Sequence, residues 1–122
     1  MNQQIRNDME TAQNIGEQFL KAYFGQGADI SKFYGNDSIL TFESDVFIGN
    51  QEIMGKLSSL PVKVEPNNYS IQPSNNGILM YVSGFLTVSG ETNKNPFTRV
   101  IFLANVNGSY YIKNDIYKVS FG

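Results

Sequence analysis

Everything after Pro61 is patterned as antiparallel sheet, and this half of the chain constrains the fold more than any other feature. Two Asn-Gly pairs, Asn76-Gly77 and Asn107-Gly108, punctuate it. Asn-Gly suits a tight hairpin because both central positions of a type I′ turn need positive φ. Together with the polar stretch 90–96, these pairs separate strands expected near residues 63–73, 78–89, 97–106 and 109–120. Pro66 and Pro73 put the first of them at a sheet edge or over a bulge, since proline cannot donate to a ladder.

Before Pro61 the apolar period changes from two to about 3.6. Ile5, Met9, Ala12, Ile15, Phe19, Leu20 and Tyr23 form one stripe, which predicts a first helix stopped by Gly25 and Gly27. Ile30, Phe33 and Tyr34 predict a short second helix broken by Gly35-Asn36-Asp37. Residues 38–44 and 46–48 read as two strands joined around Ser44-Asp45. A third helix is expected from an Asn50 cap, burying Ile53, Met54, Leu57 and Leu60 and ending at Pro61. Helices first and a meander after give an α+β fold, one domain over residues 1–122, with helices packed on one face of a curved sheet. Such a sheet leaves a concave mouth where a pocket can form.

The residue inventory narrows what that pocket can do. The 122 residues contain no His and no Cys, which removes thiolate nucleophiles, imidazole bases and zinc sites of the usual ligand types. Nine basic against 11 acidic side chains give a net charge of -2, and no Lys/Arg run is present, so no broad field draws nucleic acid. No apolar run reaches the roughly 18 residues of a membrane span. The polar start Met1-Asn2-Gln3-Gln4 lacks a secretory h-region, and a soluble intracellular protein is expected. The glycines have no phosphate-cradle spacing, so no nucleotide cofactor and no metal are expected.

Three features stand out within the strands. In Leu40-Thr41-Phe42-Glu43, Leu40 and Phe42 share one face and Thr41 and Glu43 the other. Glu43 beside a large aromatic suits a pocket rim; the plainer alternative is a solvated glutamate on an outer face. In Asn114-Asp115-Ile116-Tyr117, Asp115 and Tyr117 share a face. An Asp base with Tyr117 or Tyr111 as hydroxyl donor is the arrangement of an isomerase or dehydratase, and a surface-paired Asp beside a packed Tyr is the alternative. Phe97, Ile101 and Leu103 alternate with Val100, Phe102 and Ala104, and Ile78, Met80 and Val82 with Leu79 and Tyr81. Strands apolar on both faces are either central between two layers or part of a subunit interface, and an interface through Met80, Ile101 and Ile116 is expected.

These segments resemble the nuclear transport factor 2 family. The resemblance runs from about Ile15 to the end and is carried by Ile15-Gly16 with Phe19 and Tyr23, and by Leu40-Thr41-Phe42-Glu43. It continues in Lys56-Leu57-Ser58-Ser59-Leu60-Pro61, then Asn114-Asp115-Ile116-Tyr117 and the closing Phe121-Gly122. It implies a cone of three helices on a strongly curved, mainly antiparallel sheet, paired by the sheets into a homodimer. It also implies an import carrier, shared between cytoplasm, nucleus and nuclear pore, that binds the GTPase Ran in its GDP form and phenylalanine-glycine nucleoporins. An apolar cavity then accepts a Ran aromatic, with Phe42, Leu60, Val64 and Tyr117 at the cavity and Glu43 and Glu91 as acids of its rim. Ser89 stands where relatives carry another acid, which implies weaker electrostatic pairing. Ala12 stands where many carry an aromatic that touches nucleoporin repeats, leaving Met9, one turn earlier, to fill that role. The enzyme reading is weakened by the same comparison, because dehydratase-type members of the fold rely on His.

Overall fold

The computed structural model describes residues 2–120; the Phe121-Gly122 pair lies outside the described residues. Helix α1 spans Asn2–Tyr23 and helix α2 Asn50–Ser58. Between the helices, strand β1 (Tyr34–Phe42) turns into β2 (Asp45–Ile48). After α2 come β3 (Val62–Ser74), β4 (Gly77–Val88), β5 (Lys94–Val106) and β6 (Ser109–Val119). One six-stranded sheet forms in the order β2-β1-β6-β5-β4-β3. All neighbours are antiparallel except β1 and β6, which pair in parallel. The result is a curved mixed sheet with α1 packed on β3 and β4, and α2 on β1 and β2.

Among the described residues two α-helices are present rather than three. Ile30–Phe33 closes only a single 3-10 turn, capped by Asp29, whose carboxylate accepts from the Ser31 N–H. Tyr34 already belongs to β1, and Gly35-Asn36-Asp37 continue that strand instead of breaking it. The ladder to β6 is irregular there, between Tyr34 and Ile39. The buried Ser38 hydroxyl repairs it, accepting from the Gly35 N–H at 2.8 Å and donating to the Ile112 carbonyl. Asn50 does not cap α2 with its side chain. Its amide instead donates to the carbonyls of Ser31 and Tyr34, tying the 3-10 turn to α2. Gly49 holds the cap position, and the Glu52 carboxylate reaches back to accept from the N–H of Ile48, the last residue of β2.

The hairpins follow the turn chemistry with one shift. Asn107 (φ 53°) and Gly108 (φ 88°) turn β5 into β6 as expected. Between β3 and β4 the turn centres on Asn75 and Asn76, at φ 47° and 60°, and Gly77 is the first residue of β4. Glycine is needed there for space, because a Cβ would lie 2.3 Å from the Leu103 carbonyl oxygen. Strand β5 begins at Lys94, so the loop before it is shorter than residues 90–96.

Strand alternation decides the two faces of the sheet. The inward set, covered by the helices, includes Leu40, Met80, Val82, Phe97, Ile101, Leu103 and Ile112, all at 3 % exposure or less. Met80 and Ile101 are therefore sealed in the chain's own core and cannot form a subunit interface. The helices cover their face, a contribution that the strand pattern alone does not reveal. The outward set is the uncovered one. Ile116 pairs with Val100 and Val100 with Tyr81, while Leu79 pairs with Phe102. Leu79, Tyr81, Val100 and Ile116 are 38–46 % exposed. Among the described residues no helix is long and apolar enough to cross a membrane.

Candidate binding socket at the open end of the sheet

Six chain segments converge at one end of the molecule around a cavity of about 300 Å³. Tyr23 at the end of α1 and Phe24 just past it contribute, and the stretch into the 3-10 turn supplies Ala28 and Ile30. Leu57 and Leu60 come from the end of α2, where the chain leaves the helix through Leu60 N–H bonding the Leu57 carbonyl and Pro61 forbids another turn. Val62 and Val64 open β3 on the same side. Strand alternation then brings Arg99 from β5 and Tyr117 from β6 to the floor.

The floor is polar and internally hydrogen-bonded. Arg99 is 2 % exposed and Asp115 1 %. Arg99 donates to Asp115 side-on, through Nε to Oδ1 at 3.2 Å and Nη2 to Oδ2 at 2.5 Å. Tyr34 donates its hydroxyl proton to Asp115 Oδ2 at 2.9 Å. The Tyr23–Tyr34 hydroxyl contact of 2.7 Å must then run from Tyr23 to Tyr34, because Tyr34 has only one proton to give. Arg99 Nη2 also donates to both tyrosine hydroxyls, at 2.9 and 3.2 Å. Its guanidinium carbon lies 4.4 Å from the Tyr117 ring centroid and 5.1 Å from that of Tyr23, within cation–π range.

The electrostatics follow from this burial. Desolvation alone would lower the Arg99 pKa, but the Asp115 carboxylate and the two tyrosine oxygens outweigh it and hold Arg99 charged. Burial, reinforced by the Asp115 charge, pushes Tyr34 well above the ordinary tyrosine value, and burial also raises Tyr117. Both phenols stay neutral. Asp115 has both oxygens engaged by three donors, which leaves it a structural anion rather than a free proton acceptor. Tyr111 is far from any such role, since its hydroxyl donates to Asp37 at 3.0 Å on the outside of the molecule.

The expected site residues are only partly brought together. Leu60, Val64 and Tyr117 line the socket. Phe42 does not: its ring packs edge to face with Tyr117, centroids 5.0 Å apart, and Lys56 Nζ lies 4.7 Å from its centroid. Glu43 leaves the strand altogether, at φ 58° in the β1–β2 turn. Its N–H donates to the Tyr117 carbonyl, its carbonyl accepts from Lys118 Nζ, and its carboxylate accepts from the Val119 N–H at 3.3 Å. Glu91 lies exposed in the loop after β4, beside a second groove that shares Leu60 and Val62 with the socket. On α1, Ala12 is buried against the sheet side, whereas Met9 is 37 % exposed. The strand pattern missed Arg99, Tyr23 and Tyr34 as site residues. A signal for the first existed: Arg99 is the one charged residue in the inward set of β5, and Asp115 is the one acid in the inward set of β6.

The comparisons with known proteins match this geometry. A family model described as the nuclear transport factor 2 (NTF2) domain matches residues 12–119. Nuclear transport factor 2 of Davidiella tassiana is 34% identical over 113 residues, covering 88% of this chain and 90% of that protein. Its counterpart in Candida albicans is 33% identical over 116 residues, covering 88% and 94%. Among solved structures, nuclear transport factor 2 from Cryptosporidium parvum superposes with a TM-score of 0.75 at 27% identity, covering 93% of this chain and 95% of that one. A ketosteroid isomerase-like protein from Erwinia carotovora shares the fold with a TM-score of 0.68 at 17% identity. With the family model spanning nearly the whole described chain and curated relatives above 30% identity over most of it, this protein belongs to the nuclear transport factor 2 family.

Proposed function

We propose that this protein is a nuclear import carrier, a homodimer that binds Ran in its GDP form at the socket and phenylalanine-glycine nucleoporins along α1. The observation that carries the reading is the socket itself, an apolar cavity walled by Leu57, Leu60, Val62 and Val64 and sized for one aromatic side chain. Seating a Phe-sized group there contributes roughly 1.5–3 kcal/mol through apolar burial. Glu43, in the β1–β2 turn, and Glu91, in the loop after β4, are the acids this reading assigns to the rim, where they add orientation and on-rate more than affinity. An anion pair this sparse suits a carrier that must release its cargo.

Calorimetric titration against Ran loaded with GDP or with GTP tests the reading. Binding is expected to the GDP form only, and equal binding to both forms, or none to the GDP form, overturns it. Leu60→Asp is expected to abolish binding by placing an unpaired charge in the wall, because burying such a charge costs several kcal/mol. Glu43→Lys is expected to abolish it as well by opposing basic residues flanking the inserted aromatic. Both variants should retain the wild-type oligomeric state.

The outward sheet face is the dimer surface in this reading. Leu79, Tyr81, Val100, Phe102 and Ile116 form adjoining cross-strand pairs on one uncovered face, and a row of this kind on a monomer invites association. Ile116→Asp should convert the dimer to a monomer in light scattering at micromolar concentration, with the circular dichroism spectrum unchanged. A dimer that survives Ile116→Asp together with Val100→Asp would place the interface elsewhere. For the nucleoporins, Ala12 offers no free surface, so Met9 and Ile5, both exposed on the first turns of α1, are the residues proposed to receive the repeats.

A further inference from the structure

We infer that the socket is built to bind a small neutral phenol or aryl ketone, its ring against the apolar wall and its oxygen on Arg99 Nη1. Arg99 lines the cavity although its side chain is 3 % exposed. Its Nε and Nη2 are committed to Asp115, Tyr23 and Tyr34. Nη1 has no hydrogen-bond partner among the described residues. Yet no side-chain polar atom of those residues is both fully buried and unpartnered. Nη1 is therefore not fully sealed, and the socket is the cavity that Arg99 lines. A guanidinium N–H at the bottom of an apolar recess is costly while unpaired, and a guest oxygen within reach removes that cost.

Charge decides which oxygen the site prefers. Asp115, 2.5 Å from Nη2, already balances the guanidinium. A carboxylate guest would be a second anion on the same cation, facing Asp115 across a site where charges are poorly screened. A phenol or carbonyl oxygen accepts the hydrogen bond and brings no charge. The remaining wall, with Ile30, Leu57, Leu60 and Val64 around the Tyr117 ring, provides area for a flat apolar body. A volume of about 300 Å³ is at the small end of ligand sites and fits one substituted ring.

The inference stands on the socket's own chemistry and not on the carrier reading, so the two fail separately: one is tested with small probes, the other with Ran. The probes are toluene, p-cresol and p-toluate, titrated into methyl-labelled protein while the resonances of Leu57, Leu60 and Val64 and the Arg99 side-chain N–H are followed by NMR. Expected is p-cresol about tenfold tighter than toluene, the return on one hydrogen bond to a charged donor, and p-toluate no tighter than toluene. In Arg99→Lys the ammonium pairs with Asp115 and leaves no donor for the cavity, so the preference for p-cresol should fall to near unity. The double variant Arg99→Met with Asp115→Leu removes donor and acid together and should show the same loss, which covers the case of a poorly folded lysine variant. Equal affinity for p-cresol and toluene, tighter p-toluate, no binding of any probe, or a p-cresol preference that persists in both variants overturns the inference.

Discussion

Asp115→Ala is expected to destabilise the fold by about 3–5 kcal/mol, the range for breaking a buried ion pair from one side. The substitution leaves the Arg99 guanidinium charged and 2 % exposed with its counter-ion gone. It also strips the Tyr34 hydroxyl of its acceptor, and an unmet buried donor adds to the loss. For a domain of this length such a change lowers the melting temperature by roughly 10–20 °C. Removing both charges together has a different sign of consequence. Arg99→Met with Asp115→Leu replaces the pair by apolar groups of similar size, and buried pairs so replaced are often neutral or stabilised. Urea unfolding of the single and double variants checks this: the double is expected to recover most of the stability lost by Asp115→Ala. A single variant within about 1 kcal/mol of wild type would contradict the buried-pair account, as would a double variant no better than the single.

The second large effect is at Gly84. It pairs with Pro66 where the β3–β4 register slips, between Pro66 and Asn68. The bulge carries β3 so close that a Cβ on Gly84 would stand 2.1 Å from the Glu65 carbonyl oxygen and 2.8 Å from the Pro66 Cα. Both obstacles are backbone, which cannot swing aside as a side chain can. Gly84→Val is expected to cost about 3 kcal/mol and to loosen the β3 edge, because overpacking forces backbone shifts. Amide exchange separates the two parts of this effect, with protection at the outer end of β3 falling more than protection in β6. Since Val62 and Val64 open β3 and wall the socket, the same variant should weaken any guest of that site. A Gly84→Val protein with wild-type stability would show that the bulge relaxes freely.

Much of the fold was readable from short-range pattern. The stripe from Ile5 to Tyr23, the alternation after Pro61 and the Asn-Gly turns each report a local period or a local φ requirement. Residues in one element carry that information by themselves. The errors arose where a neighbour overrode the local signal. Gly35-Asn36-Asp37 reads as a breaker, but the Ser38 hydroxyl satisfies the interrupted ladder and β1 runs through. Asn50 reads as a cap, but two carbonyls from another segment take its amide. Phe42 reads as a cavity wall, but its ring packs edge to face on Tyr117 and does not line the socket.

By itself, then, the sequence determined the order of elements, the α+β class, the turn positions to within a residue, and the family, through strings such as Lys56-Leu57-Ser58-Ser59-Leu60-Pro61. It also ruled out His and Cys chemistry. Only the tertiary structure decided which apolar face is core and which is free, because strand alternation names two faces and not what covers them. Only it joined Arg99 to Asp115. Arg99 sits opposite Tyr117 and Asp115 opposite Ile101, so the ion pair is a diagonal contact that exists only once β5 and β6 are in register. The floor of the socket is a product of that register, of the curvature of the sheet, and of α1 setting Tyr23 against Arg99.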